Sequence, residues 1–222
     1  MKLLIFDTET SGFINNNLHV NHKNQAHLLQ LAYIVYDTTL RCIITKFMSY
    51  TRYYHDFNIA PGAAATHGIS YEMCKSGMHV ADALELFTDQ VRKCDLLIAH
   101  NYVFDSRILN LVVSQCAEED EDNKLPEHKH YCTMEHMTDI CALPHKSRKQ
   151  NSKYKWPKLE EAYSYIRTGD CYKEKLSGSH DALVDVNACL QIYLWLLNRV
   201  SYKTEVSPNL VPADLINKHI GT

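Results

Sequence analysis

Glycine and proline are scarce, 7 and 6 in 222 residues, and this excludes collagen-like and low-complexity chains. No apolar run approaches the ~20 residues of a membrane-spanning helix, so no membrane partner is expected. The opening Met1-Lys2-Leu3-Leu4-Ile5-Phe6 meets Asp7 before a secretory signal core could form. Neither sign of charge dominates: Lys+Arg 23 stand against Asp+Glu 26, a net charge of -3. Global attraction to a polyanion is therefore absent, and a nucleic-acid partner would need a local patch or bound metal ions. The 8 cysteines form no Cys-x-x-Cys pair. That scatter predicts reduced thiols, as in a cytosol or nucleus, rather than a disulfide framework.

What the chain does have is a succession of short apolar runs. Lys2 to Asp7 reads as a buried strand ending at a carboxylate, and Leu28 to Tyr36 and Arg41 to Ser49 as two more joined by the turn Asp37-Thr38-Thr39. Leu96 to Ala99 predicts a fourth strand, and His130-Tyr131-Cys132 a weaker fifth. Helical spacing runs from Val80 to Cys94, Phe104 to Cys116, Thr133 to Leu143 and Lys158 to Ile166, with Pro157 placed to start the last of these. A long helix follows in which Val186, Leu190, Tyr193, Leu194 and Leu197 share one face. Strands that first form hairpins and then alternate with helices predict an α/β fold, a mixed sheet flanked by helices. We read residues 1–200 as one domain and 201–222 as a C-terminal extension.

Carboxylates stand at the ends of these runs. In an extended chain Asp7 and Glu9 face the same side, and two anions held together repel unless a cation lies between them. Hard oxygen ligands suit Mg²⁺ or Mn²⁺, although an Asp-x-Glu pair also occurs on plain surfaces. Asp105 follows the fourth strand and opens a helix, where it would also complement the helix dipole. His180 and Asp185 precede and open the last helix. Five positions apart on an ideal helix they would diverge, so they converge only if His180 folds back in the leading loop Ser177-Gly178-Ser179. Asp181 and Asp185 share a helix face, and spacing does not choose between them.

Phe6-Asp7-Thr8-Glu9-Thr10, His100-Asn101-x-x-Phe104-Asp105 and His180-x-Ala182-x-x-Asp185, in that order, resemble the three motifs of the DEDDh 3′–5′ exonucleases. This is the superfamily of the proofreading subunit of bacterial replicative DNA polymerase. Thr66-His67-Gly68-Ile69, Tyr131-Cys132-Thr133-Met134 and Lys155-Trp156-Pro157-Lys158-Leu159 also resemble stretches of that family, so the likeness spans residues 3–198. It departs at Thr10-Ser11-Gly12, where Thr-Gly is frequent. The resemblance implies a ribonuclease H-like fold: a five-stranded mixed sheet, its second strand antiparallel to the rest, with helices on both faces. It implies Asp7, Glu9, Asp105 and Asp185 as ligands of two divalent cations, Mg²⁺ or Mn²⁺, and His180 as general base. The implied reaction is hydrolysis of single-stranded DNA 3′ ends to nucleoside 5′-monophosphates. An exoribonuclease of the same fold and a non-catalytic polymerase-associated module are the rival expectations, and the tail from Ser201 to Thr222 is expected to dock a polymerase or another protein.

For the substrate, Thr8 and Thr10 offer N–H or hydroxyl groups to a terminal nucleotide, and the resemblance adds His67, Asn101 and Phe104 as pocket residues. Two further stretches stand out. Lys146, Arg148, Lys149, Lys153, Lys155 and Lys158 interleave with Tyr154 and Trp156, a composition suited either to single-strand binding or to a solvated loop. His128, His130, Cys132, His136, Cys141 and His145 crowd one segment, but their spacing matches no standard zinc finger. Glu118 to Asp122 is an acidic run that predicts a solvated loop.

Overall fold

β1 (Lys2–Thr10) can be apolar on both sides because both sides are covered. Leu4 and Phe6 pack into one core cluster with Phe87 and Leu109, whereas Leu3 and Ile5 pack into another with Val186 and Tyr193. Each such side chain, taken fully from water, contributes about 1.5–3 kcal/mol. The computed structural model describes residues 1–116, 125–145 and 153–203, with side chains through Arg199. The expectations for the acidic run at 118–122, for the basic residues at 146–149 and for the tail beyond Lys203 lie outside these residues.

Around β1 stand β2 (Leu28–Asp37), β3 (Cys42–Arg52), β4 (Met78–His79), β5 (Leu96–Ala99) and β6 (His130–Cys132). They form a six-stranded sheet of order β4-β3-β2-β1-β5-β6. β2 is antiparallel to its neighbours β1 and β3, while β1, β5 and β6 run parallel, as do β3 and β4. The antiparallel second strand is therefore as expected, but the sheet has six strands rather than five. The extra strand, β4, is only two residues long, too short to leave a periodic pattern. It closes onto β3 at Gly77, where a Cβ would overlap the Tyr50 carbonyl.

α3 (Val80–Val91) and α4 (Tyr102–Cys116) cover one face of the sheet, and α7 (Ala182–Lys203) covers the other. α5 (Thr133–Cys141) and α6 (Leu159–Thr168) pack on α7 through Met137, Ala162 and Ile192. Two short helices, α1 (Pro61–His67) and α2 (Tyr71–Lys75), went unpredicted because neither spans enough turns to show a buried stripe. Their punctuation is nonetheless local: Pro61 is at the first helical position, Gly68 ends α1 with φ 69, and Ser70 accepts the Met73 N–H to open α2. α6 begins at Leu159 with Lys158 as N-cap, so Pro157 precedes the helix rather than starting it. α7 continues through Ser201 to Lys203, past the boundary at residue 200 drawn for the C-terminal extension.

Candidate active site

β1 runs on past the end of its parallel neighbour β5, and three elements bring acids to that edge. β1 supplies Asp7 and Glu9, both partly exposed, while the alternating Thr8 and Thr10 are buried. α4 starts directly after β5 and carries Asp105 in its first turn, 3% exposed. Thr8 fixes that carboxylate: its hydroxyl and its backbone N–H both donate to Asp105 Oδ1, at 2.7 and 3.2 Å.

α7 delivers the remaining groups, and its position is set from the sheet. Gln30 faces Glu9 across the β1–β2 pair, and its Oε1 accepts the backbone N–H of Ala182 at 3.0 Å. Ala182 is the first residue of α7. Asp181 accepts the Leu183 N–H at 2.9 Å and so works as a cap, whereas Asp185 turns inward, 8% exposed. The structure thus separates two acids that spacing alone left equivalent. Gly178 (φ 77) and His180 (φ 69) both take the left-handed conformation, which folds His180 back onto the helix start. The His180 N–H then donates to Asp185 Oδ2 at 3.2 Å. Ligand atoms of Glu9, His180 and Asp185 all lie within 4.8 Å of one another.

Charge shows that the four acids share one space. Burial pushes the Asp7 carboxyl well above the ordinary range, and Asp105, Asp185 and Glu9 push it further. Glu9 is pushed up to about 8 by burial, then by Asp185, Asp105 and Asp181. Burial raises Asp105 to about 7 against the opposing pull of the two Thr8 hydrogen bonds, and raises Asp185 to about 6 against the His180 N–H. Asp185 Oδ1 is buried with no hydrogen-bond partner. A buried acceptor left unpaired is costly, and a cluster of like charges compounds the cost. Hard oxygens with one imidazole beside them suit a divalent cation, so the residues present fit such an ion. Among the described residues this is the only metal-competent group; the Cys/His stretch at 128–145 forms none. There His136 bonds the Cys132 carbonyl and stacks on Tyr131, and His130 stacks on Tyr102.

The expected substrate contacts divide. Asn101 is exposed and Phe104 is partly exposed at the start of α4. Thr8, Thr10 and His67 do other work. Both Thr8 donors are committed to Asp105, and the Thr10 hydroxyl donates to the Gly12 carbonyl at 2.9 Å. His67 Nε2 donates to the Thr10 carbonyl at 3.1 Å while Nδ1 accepts the Ile69 N–H at 3.0 Å, which leaves no ring nitrogen for a ligand. These side chains brace the strand end. Two residues escaped the sequence reading. Phe13 is 87% exposed, edge-on to Phe104, and its only signal was an aromatic directly after Gly12. Gln30 is a lone polar residue inside an apolar strand, which is a readable signal for a buried hydrogen bond.

A family model, RNase_T, described as Exonuclease, matches residues 4–193. No curated protein matches the chain. Among solved structures, Escherichia coli exonuclease I in complex with a dT13 oligonucleotide is similar at 19% identity and a TM-score of 0.61, covering 92% of this chain and 42% of that one. The nuclease domain of 3'hExo, a DEDDh family member bound to rAMP, is similar at 15% identity and a TM-score of 0.60, covering 89% and 92%. A 3'-exonuclease that recognises the 3' end of a histone mRNA stem-loop gives 14% identity and a TM-score of 0.61, covering 89% and 82%. At these identities the likeness is one of fold, and the fold is ribonuclease H-like. The chain spans less than half of exonuclease I. No helix among the described residues is long and apolar enough to cross a membrane.

Proposed function

The chain belongs to the RNase_T exonuclease family, and from that premise we propose that it is a 3′–5′ exonuclease acting on single-stranded nucleic acid, with DNA favoured. The observation that carries this reading is the convergence of Glu9, His180 and Asp185 beside a buried, partnerless Asp185 oxygen. Asp7, Glu9, Asp105 and Asp185 would hold two divalent cations, Mg²⁺ or Mn²⁺. When bound, such ions supply hydroxide at neutral pH and a clamp on the leaving 3′-oxygen.

The chain's own residues do the rest. Four carboxylates largely balance the charge of the ions, so that the loaded site attracts phosphate although the protein as a whole carries -3. His180, held back by its left-handed backbone and exposed to solvent, takes the proton of the attacking water on an imidazole nitrogen. Thr8 keeps the Asp105 carboxylate aimed, and Gln30 keeps α7 at the depth that sets Asp185 beside Glu9. Asn101, Phe104 and Phe13 form the rim on which a terminal nucleotide would rest, and a frayed or single-stranded end is required because a paired terminus does not fit over the edge of a strand.

A second reading, an exoribonuclease, is favoured by one comparison: the chain spans 92% of the nuclease domain bound to rAMP but 42% of the enzyme bound to dT13. Matched single-stranded DNA and RNA oligomers, labelled at the 5′ end and incubated across a series of divalent cations, separate the two. The proposal expects stepwise shortening from the 3′ end with release of nucleoside 5′-monophosphates, faster on DNA, and none with Asp7→Ala. Absence of cation-dependent shortening of either oligomer would overturn it.

A further inference from the structure

Trp156 is 65% exposed, although an indole is among the side chains that gain most from burial. The exposure is not that of a loose loop, because the backbone is tied on both sides of it. The Lys155 N–H donates to the Leu143 carbonyl at 3.0 Å. The Pro157 carbonyl accepts from His100 Nε2 at 3.0 Å, and the other His100 nitrogen meets the Thr133 hydroxyl at 3.0 Å. The Lys158 N–H donates to Glu161 at 2.8 Å, and the same carboxylate holds the Lys155 ammonium at 2.6 Å. The indole is therefore presented on a fixed stretch of chain.

That stretch borders the candidate active site. His100, whose ring holds the Pro157 carbonyl, directly follows β5 and stands two residues before α4, the helix that carries Asp105 in its first turn. Near Trp156 in the chain stand basic and aromatic residues. The Lys153 ammonium lies 4.9 Å from the centre of the Tyr154 ring, and the Lys158 ammonium, 73% exposed, pairs with Glu160 at 3.6 Å on the solvent side. An exposed aromatic side chain with basic residues on both sides of it in the chain suits a stacked base with phosphates nearby.

We propose that Trp156, with Lys153 and Lys158, is a stacking platform for a nucleotide of the single strand 5′ to the one being released. The platform rests on the exonuclease reading, but it adds a contact outside the reaction centre that lengthens the strand the protein grips. It is indifferent to the sugar, since every base offers a π face.

The test uses the full chain carrying Asp7→Asn, which silences cleavage, and Trp195→Phe, which leaves Trp156 as the only indole of the two. Oligo-dT and oligo-U of increasing length are titrated in Mg²⁺, with indole emission followed beside the anisotropy of a labelled oligomer. The proposal expects quenching by strands of more than about three nucleotides, an affinity for them about tenfold weaker in Trp156→Ala, and most of that affinity retained in Trp156→Phe. A thermal melt of each variant shows that it is folded. Oligomer binding without quenching, and equal in Trp156→Ala, would overturn the platform and leave the indole to a protein contact. Failure of any oligomer to bind would overturn the exonuclease reading itself and the platform with it.

Discussion

Gln30 and Ala182, 152 residues apart in sequence, are joined by a 3.0 Å hydrogen bond that ties the middle of the sheet to the first turn of α7. Because Gln30 also faces Glu9 across two strands, one amide sets the distance between the acids of β1 and the acid of α7. Replacing Gln30 with Ala strands a buried N–H at a cost of about 1–3 kcal/mol. We expect Gln30→Ala to lower the melting temperature by several degrees and to weaken divalent-cation affinity, both read by thermal melts at graded cation concentration.

The acids give the cation-free protein an inverted pH dependence. Their folded pKa values lie above the unfolded ones, Glu9 at about 8 and Asp105 at about 7, so the folded chain holds protons that the unfolded chain has lost. The stability this contributes is full below the ordinary carboxylate range and is lost as pH rises through those values. His27 and His100, both lowered to about 4 by burial, work the other way and weaken the fold as pH falls below about 6.5. The clean window is therefore pH 7 to 8.5. In cation-free buffer the melting temperature should fall across it, and Asp7→Asn should raise that temperature and flatten the slope. Added Mn²⁺ should restore the wild type and raise the variant by a smaller margin.

Thr8→Val keeps the backbone bond to Asp105 but removes the 2.7 Å hydroxyl donor that holds its pKa down. Hydrogen bonds to charged groups are worth about 1.5–3 kcal/mol, so cation affinity at pH 7 should weaken about tenfold or more. The loss should shrink as pH rises and the carboxylate ionises without help. Thr8→Ser should behave as the wild type in the same titration.

His180→Asn separates a base from a structural residue. Asparagine tolerates the left-handed backbone at φ 69, so the leading turn of α7 should survive. The expected result is a fall in kcat of about 10²–10⁴-fold with unchanged melting temperature and unchanged cation affinity. A loss of cation affinity instead would make His180 a ligand rather than a base.

Fold and site are legible in the chain where short-range pattern and chemistry coincide. β5 falls at its predicted residues because an apolar run that stops at polar residues marks a buried strand end, whereas β6, the weakest expectation, is a polar three-residue strand with no such run. The folded-back His180 followed from spacing, since convergence with Asp185 demanded a turn that Gly178 permits. What stayed hidden was set by distant partners. Nothing near Thr8 or His67 announces that their donors serve Asp105 and the Thr10 carbonyl rather than a substrate. The division between Asp181 as cap and Asp185 as inward acid depends on how α7 meets β2, a contact between residues far apart in the chain. β4, α1 and α2 are too short for periodicity to speak.

The most direct test of the central claim, that acids from β1, α4 and α7 form one cage for divalent cations, is Mn²⁺ titration of the full chain and of Asp185→Asn followed by electron paramagnetic resonance. The account predicts two bound ions per wild-type chain and the loss of at least one in the variant. Equal binding by both proteins, or none by either, would contradict it.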